Sequence, residues 1–285
     1  MRAAASRNRP LLPAAVAVRR RQDYTNNDAW KAKQIIPSAA KLVDINYAKR
    51  HTGLEKIIGG EKVDVSKFPY QLSLRSYDNH ICGASIISTY WALTAAHCVF
   101  PQRELRTISL LAGASDRLQG GRLQNVSRIV IHPEYNPATF DNDVAVLRVK
   151  IPLIGLNIRS ILIVPEGYEP YHGVRSLVTG WGRTVIKLTD NGLPTTLHAV
   201  DIPIVSRSTC ATYWGTDLIT ERMICAGQEG RDSCNGDSGG PLVSNGQQIG
   251  IVSWGSTECG GPLPAVYTHI GHPSVRRFIK STTGV

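Results

Sequence analysis

Long hydrophobic runs are missing from this 285-residue chain. A transmembrane helix needs about 18 or more consecutive apolar residues, and the apolar stretch near the N-terminus, Leu11–Val18, is short and contains a proline. We therefore expect a soluble protein of one or two domains with a large core. Leu11–Val18 precedes three arginines and makes a poor signal peptide. Either the true start is missing or altered, or the export signal is atypical.

Metal-binding cysteine patterns are also missing. The six cysteines form no CxxC pair and no Cys/His cluster at zinc spacing, so neither a metal site nor a cofactor is expected. An even number predicts three disulfides in an oxidising compartment, although spacing alone leaves fifteen connectivities. Asn125-Val126-Ser127 is a glycosylation acceptor, which agrees with secretion. The cysteines are Cys82, Cys98, Cys210, Cys225, Cys234 and Cys259.

Acidic residues are fewer than basic ones, and 32 Lys and Arg against 22 Asp and Glu give a net charge of +10. Residues 1–56 hold most of the excess, with 12 Lys and Arg against 4 Asp and Glu. The remainder has 20 against 18. Because the basic segment lacks an aromatic-plus-basic binding pattern, we interpret it as a solvated leader and expect no nucleic-acid binding. No repeat or low-complexity block appears.

Short apolar or alternating runs broken by Gly, Pro, Asn and Asp fill the rest of the chain, and they predict β-strands. Helical spacing of apolar residues appears only in Pro273–Lys280, where the proline suits the first turn. The pattern predicts an all-β protein with a terminal helix. The predicted strands are Tyr70–Leu74, Ser85–Ser88, Thr107–Leu111, Val144–Val149, Arg175–Thr179, His198–Ile204, Gln248–Trp254 and Ala265–His269.

A serine lies among three glycines and beside a carboxylate in CNGDSGGP, where Ser238 is a candidate nucleophile. A serine hydroxyl attacks poorly at neutral pH unless a base, an acid that orients the base, and oxyanion donors assist it. TAAHC offers His97 as the base and DNDVAVL offers Asp143 as the acid. Taken alone, such a histidine is usually a packed residue and such an aspartate a turn residue.

Five motifs together resemble the trypsin-like branch of the chymotrypsin family: IIGG, TAAHC, DNDVAVL, CNGDSGGP and SWG, in the family's order. The resemblance covers Ile57 to the C-terminus and not the leader, 1–56. It implies two antiparallel six-stranded Greek-key β-barrels with a C-terminal helix. The first barrel is expected over about 57–172, the second over about 173–270 and the helix over about 273–281.

The resemblance assigns roles to the candidate residues. It makes Ser238 the nucleophile, His97 the general base and acid, and Asp143 the group that holds the imidazole's tautomer. The backbone N–H groups of Gly236 and Ser238 would form the oxyanion hole. Asp141 keeps its interpretation as an ordinary turn residue.

A substrate pocket is implied by the same resemblance, with Asp232 at its floor, where a buried carboxylate selects Arg or Lys. A solvated loop aspartate is the weaker alternative. Ala265 stands where trypsins normally have glycine, so we expect an altered Arg/Lys balance or a reduced rate. Phe140 would shape the adjoining subsite or pack in the core. The implied substrate-binding residues are Asp232, Ser233, Ser253, Trp254, Gly255 and Ala265.

An activation junction is implied at Lys56, where cleavage would free the Ile57 amine to pair with Asp237. A buried carboxylate beside the nucleophile is costly without a cation. The resemblance also selects the disulfides Cys82–Cys98, Cys210–Cys225 and Cys234–Cys259. The loop that holds calcium in some trypsins, Ala112–Gln124, has one acid, so no calcium is expected.

The function predicted from the sequence is a secreted zymogen of a serine endopeptidase. Its expected partners are protein or peptide substrates, an activating protease that cuts after Lys56, and protein inhibitors. We expect a monomer that binds neither nucleic acid nor membrane. Two alternatives stay open: a catalytically silent homologue that serves as a binding or regulatory module, and a protease of another specificity.

Overall fold

Short strands dominate the structure, a computed structural model that describes residues 59–184 and 192–285. The predicted leader and the junction residues Lys56 and Ile57 lie outside the described residues. The division of the chain into a leader and a peptidase domain therefore stays a prediction.

The first barrel closes on itself in the strand order β2-β3-β4-β7-β6-β5, with antiparallel neighbours throughout. Its alternating residues place Leu72, Leu74 and Leu110 inside with no exposed surface, as the two-residue period of a half-buried strand requires. Its strands are β2 Gln71–Ser76, β3 Asn79–Ser88, β4 Trp91–Thr94, β5 Ile108–Ala112, β6 Arg122–Ile131 and β7 Ala145–Val149.

The second barrel closes in the order β9-β10-β11-β14-β13-β12, and β12 pairs back with β9. Two short strands join its edges: β1 pairs with β10, and β8 pairs in parallel with β13. The strands outside the first barrel are β1 Glu61–Lys62, β8 Leu162–Ile163, β9 Arg175–Gly180, β10 His198–Val205, β11 Met223–Ala226, β12 Pro241–Ser244, β13 Gln247–Trp254 and β14 Ala265–His269.

Two α-helices accompany the barrels in the described ranges. The C-terminal helix α2, Pro273–Thr283, buries Val275, Phe278 and Ile279 and has Pro273 in its first turn, so the predicted helix is confirmed. The other helix, α1, Arg207–Trp214, was not predicted. It has few apolar residues, and the Ser206 hydroxyl caps it by accepting from the Thr209 N–H.

The two barrels share one hydrophobic core cluster, and buried polar side chains cross the boundary between them. Thr179 donates to the Gln71 side chain at 2.6 Å, and Ser85 donates to the Gln248 side chain at 2.6 Å. Buried polar groups cost free energy unless they are paired, so these bonds fix how the barrels dock. The predicted fold class of two closed antiparallel β-barrels and a terminal helix is confirmed.

Candidate active site

His97 stands in a 3-10 turn, Ala96–Cys98, that directly follows strand β4 of the first barrel. The Cys82–Cys98 disulfide ties this turn to β3. The His97 side chain is 17% exposed, so it is anchored on one side and open to a cleft on the other. The ring of Phe140 packs edge-on against the imidazole, with 5.5 Å between ring centroids.

Asp143 is completely buried and holds His97 by two bonds. Its Oδ2 lies 2.7 Å from His97 Nδ1, and its Oδ1 accepts from the His97 backbone N–H at 2.9 Å. The second barrel supplies further donors: Ser253 Oγ donates to Oδ2 at 2.5 Å, and Thr268 donates to the Asp143 carbonyl at 2.7 Å. A carboxylate with these partners stabilises the tautomer that carries its proton on Nδ1 and leaves Nε2 as an acceptor.

The loop that carries Asp143 has a strained backbone, since Phe140 and Asn142 have φ values of 57° and 51°. Non-glycine residues rarely adopt this left-handed region. Asp141 lies between them and accepts from Arg222 Nε at 2.7 and 2.8 Å and from Thr220 at 2.7 Å. We call these three residues the interbarrel clamp, because Asp141 precedes β7 of the first barrel while its two partners precede β11 of the second.

Ser238 is half-buried in a turn that leads into β12 and lines the same cleft as His97. Its carbonyl accepts from the Gly83 N–H of the first barrel at 2.7 Å. Gly236, two residues earlier, has φ of 103°, and a Cβ there would lie 3.0 Å from Gly182 Cα. Glycine is required at this turn because it alone adopts that backbone freely and leaves the approach open.

A half-buried histidine, His80, supports this turn. His80 Nε2 lies 2.9 Å from the Gly236 carbonyl and its Nδ1 lies 2.8 Å from Ser73 Oγ. Burial lowers the pKa of His80 to about 4, so the ring is neutral at physiological pH. A neutral ring with its proton on Nε2 donates to Gly236 and accepts from Ser73.

Asp237 is completely buried next to Ser238. It accepts from the N–H groups of Gly182 and Cys234, at 2.8 and 2.9 Å, while burial raises its pKa to about 6. A side chain at Gly180 or Gly182 would overlap this carboxylate. Within residues 59–184 and 192–285, no cation forms an ion pair with this carboxylate, and a buried carboxylate is costly without a countercharge.

A cleft of about 560 Å³ runs past His97 and Ser238. Asp232 is 3% exposed, and its Oδ1 has no hydrogen-bond partner among the described residues. Its Oδ2 has a long contact, 3.4 Å, with the Gly260 N–H. Burial, which the Gly260 and Ser233 N–H groups only partly offset, raises the pKa of Asp232 to about 8. Such a carboxylate is suited to a cationic ligand.

Residues of the second barrel form the walls next to this carboxylate. Ser233 Oγ lies 3.0 Å from the Tyr267 hydroxyl. A Cβ on Gly255 would lie 3.5 Å from both the Cα and the Cβ of Ala265, so the two residues are neighbours in the cleft lining. The Ala265 methyl group therefore occupies part of the space next to Gly255.

The three disulfides join Cys82 to Cys98, Cys210 to Cys225 and Cys234 to Cys259, the pairs that the resemblance implies. Both cysteines of the third disulfide, Cys234 and Cys259, line the cleft. The one group of potential metal ligands among the described residues is Cys82, His97 and Cys98. Both of its sulfurs are in a disulfide and cannot act as thiolate ligands.

Sequence reasoning missed several contributors to the site. Thr268 and the clamp residue Arg222 act on the Asp143 loop from the second barrel, and His80 supports Gly236. No local motif marks such residues, because their partners are distant in sequence. Interpreting Asp141 as an ordinary turn residue overlooked its ion pair.

A serine, a histidine and a buried aspartate on one cleft between two β-barrels define a serine hydrolase. The family model described as Trypsin matches residues 57–278, and the chain belongs to the trypsin family of serine endopeptidases. It is 36% identical over 257 residues to a trypsin of Phaedon cochleariae, covering 87% of this chain and 98% of that protein. It is 38% identical over 240 residues to a trypsin of Simulium vittatum, covering 80% and 95%.

A helix that crosses a membrane needs about 18 or more predominantly apolar residues. Neither α1 nor α2 is long and apolar enough to cross a membrane.

Proposed function

We propose that this serine endopeptidase is secreted as a zymogen and hydrolyses peptide bonds after Arg or Lys. The observation that supports the specificity is the buried Asp232 carboxylate, whose Oδ1 has no partner within the described ranges. A substrate guanidinium or ammonium group would supply the missing donors and charge. An uncharged side chain would supply neither the cation nor the donors, so we expect Phe and Ala substrates to be cleaved far less efficiently than Arg or Lys substrates.

In the proposed mechanism, Ser238 Oγ attacks the substrate carbonyl carbon while His97 Nε2 takes the hydroxyl proton. The N–H groups of Gly236 and Ser238 stabilise the oxyanion, and loss of one such donor costs about 3 kcal/mol. The imidazolium, which Asp143 stabilises, then protonates the leaving amine, and an acyl-enzyme remains on Ser238. Water, deprotonated by His97, hydrolyses the acyl-enzyme and restores the hydroxyl.

Activation requires a cut after Lys56 in this proposal. The new Ile57 amine would supply the countercharge for Asp237, which has two backbone donors and a raised pKa. Gly59 lies against the Gly230 carbonyl, so the chain approaches the second barrel within two residues of the proposed new terminus. An activating protease, protein inhibitors and a monomeric state complete the proposal.

The first experiment measures hydrolysis of matched Arg, Lys, Phe and Ala peptides before and after a limited cut at Lys56, with a Ser238→Ala control. We expect activity on Arg and Lys that appears only after the cut and is absent from the control. Lack of activity on all four peptides after a verified cut would favour the silent-homologue alternative. Equal activity on Phe or Ala would contradict the specificity.

The role of Asp232 is tested by Asp232→Asn, with Asp201→Asn as a matched control. Asp201 forms an exposed ion pair with Arg175 on the second barrel. Removing the pocket charge should reduce kcat/KM for Arg and Lys substrates on the order of 10⁴-fold, since the substrate cation would then be left unpaired. The control should change it less than about twofold. Similar values for the two variants would disprove the pocket assignment.

A further inference from the structure

Two arginines line the catalytic cleft, Arg103 from the segment after the His97 turn and Arg183 from the segment after β9. Apart from His97 and Tyr135, they are the ionisable lining residues in the described part of the chain, and no carboxylate is among the lining residues there. A guanidinium is charged at every physiological pH and presents five N–H donors in a planar fork. The rim of the cleft is therefore cationic.

Arg183 is positioned beside the oxyanion loop. Its backbone N–H donates to the Asn235 carbonyl at 2.9 Å, and the preceding Gly182 lies directly against Gly236. Its side chain forms no ion pair with a described carboxylate within 4.0 Å. A half-buried guanidinium without an internal carboxylate partner can pair with an anionic ligand.

Arg103 is anchored near the catalytic imidazole. Its Nε donates to the Cys98 carbonyl at 2.9 Å, and Cys98 Sγ lies 3.7 Å from His97 Nε2. Arg103 thus lies next to the half-cystine that contacts the Nε2 edge of the His97 ring. In the proposed mechanism Nε2 protonates the leaving amine, so Arg103 lies on the side where the leaving peptide departs.

Another part of the lining lies next to Asp232. Ser253, Gly255 and Ala265 line the cleft, and a Cβ on Gly227 would lie 3.5 Å from both the Ala265 backbone N and Asp232 Oδ1. In the proposed function, the substrate residue before the scissile bond occupies this part of the cleft. In the proposed function, the Asp232 carboxylate thus serves the substrate residue before the scissile bond, and the two guanidinium groups are left for the residues after it.

We propose that Arg183 and Arg103 select substrates with an acidic residue within the first three positions after the scissile bond. This inference rests on the proposed function, since Asp232 and His97 define which end of the cleft receives the leaving peptide. The ligand class is the side-chain carboxylate of Asp or Glu in an extended peptide. Charges on a binding rim act mainly on specificity and association rate, and salt weakens them.

The experiment compares internally quenched peptides that share one cleavable Arg and carry Glu, Gln or Lys at the first, second or third position after it. Glu and Gln have the same shape, so their kcat/KM ratio isolates the charge. The processed enzyme should favour Glu over Gln by about 3- to 10-fold at one position or more at low ionic strength. Lys at that position should be the poorest substrate, and the Glu preference should shrink in high salt.

Arg183→Gln and Arg103→Gln should each lower the Glu/Gln ratio, and the double variant should bring it close to one. Arg148→Gln serves as the matched control, because Arg148 is exposed on β7 and does not line the cleft. Each rate is divided by the same variant's rate on a short Arg substrate with a non-peptide leaving group, which corrects for altered folding or chemistry.

A Glu/Gln ratio of one or below at all three positions, or a ratio that survives in the double variant, would overturn the inference. Failure of the proposed function has a different signature, because the short Arg substrate would then not be hydrolysed at all.

Discussion

At the scale of single residues, Ala265 occupies the position where the family resemblance leads us to expect glycine. Ala265 is buried, and its methyl group lies next to Gly255, where an added Cβ would be 3.5 Å from it. In the proposed function, the methyl group borders the space beside Asp232 through which a long basic substrate side chain would pass. Two residues that are both small can therefore set the width of the pocket.

Replacing Ala265 by Gly should raise kcat/KM on both Arg and Lys peptides and change the balance between them. One methyl or methylene group in a pocket is worth about 1–3 kcal/mol, or roughly 10- to 200-fold at most. The measurement is steady-state kinetics on the matched peptide pair. Unchanged kinetics toward both peptides would refute the steric effect of the methyl group.

The protonation of Asp232 predicts a pH-dependent affinity for small cations. Burial raises the pKa of Asp232 to about 8. Below that pH the Asp232 carboxyl group of the empty pocket is therefore mostly protonated, and a bound cation must displace its proton. Binding of an alkylguanidinium ion should strengthen up to tenfold per pH unit between about pH 6 and 8 and then level off. Calorimetry on the processed Ser238→Ala enzyme should also detect proton release below pH 8.

The matched control for this titration is Asp232→Asn on the same background. It should bind the alkylguanidinium ion weakly and without pH dependence over the same range. An affinity that stays constant from pH 6 to 8 in the unaltered pocket would contradict the expected protonation.

At the scale of elements, strands of five or more residues rich in β-branched and apolar residues could mostly be predicted from the sequence, and β14 has the predicted bounds. Strand β6 was missed because its first half reverses the expected pattern: Leu123 is 48% exposed, whereas Gln124 is 4% exposed. A register shift between Val126 and Arg128 then restores normal burial. Such a bulge depends on the partner strand and leaves no signal in one strand's sequence.

Strands β4, β11 and β12 were missed for another reason. Each has four residues that are buried on both faces or nearly so, and short apolar runs do not distinguish strands from other buried segments. Helix α1 was missed because the Ser206 cap and the Cys210–Cys225 disulfide hold a segment of low helix propensity.

More of the candidate site than of the strand pattern could be predicted from the sequence, because short motifs mark Ser238, His97 and Asp143. What the motifs omit are contacts between barrels, such as Thr268 on the Asp143 carbonyl and Ser253 on its carboxylate. These contacts exist only once two separately formed barrels dock.

The interbarrel clamp makes a testable prediction about the Asp143 loop. Arg222→Gln removes the ion pair that holds Asp141 across the barrels, where the side chains are 31% and 18% exposed. We expect kcat to fall about 3- to 10-fold with little change in KM, because Asp143 would orient His97 less well. The free energy of unfolding should fall by about 1–2 kcal/mol.

Arg277→Gln is the matched control for the clamp. Arg277 pairs with Glu166 on the surface, with the arginine side chain 71% exposed, and such a pair contributes about 0–1 kcal/mol. Kinetics and denaturant unfolding of both variants measure the difference. Equal kcat values in the two variants would show that the clamp does not position the catalytic loop.

At the scale of the whole molecule, the proposed activation couples the chain terminus to the oxyanion loop through Asp237. Lys56→Gln should block the cut and leave the chain largely inactive on Arg and Lys peptides, because Asp237 would lack its cationic partner. The assay compares this variant with the unaltered chain after identical protease treatment. Full activity of the uncut variant would disprove the zymogen proposal.

The placement of the disulfides has a consequence for purification. All six cysteines are paired beyond residue 56, so a cut at Lys56 leaves no covalent tether to the leader, which would then separate on dilution. The leader holds 12 of the 32 Lys and Arg and 4 of the 22 Asp and Glu. Its loss would turn a protein that binds a cation-exchange column strongly into one that elutes at low salt, and the elution position would report activation without any substrate.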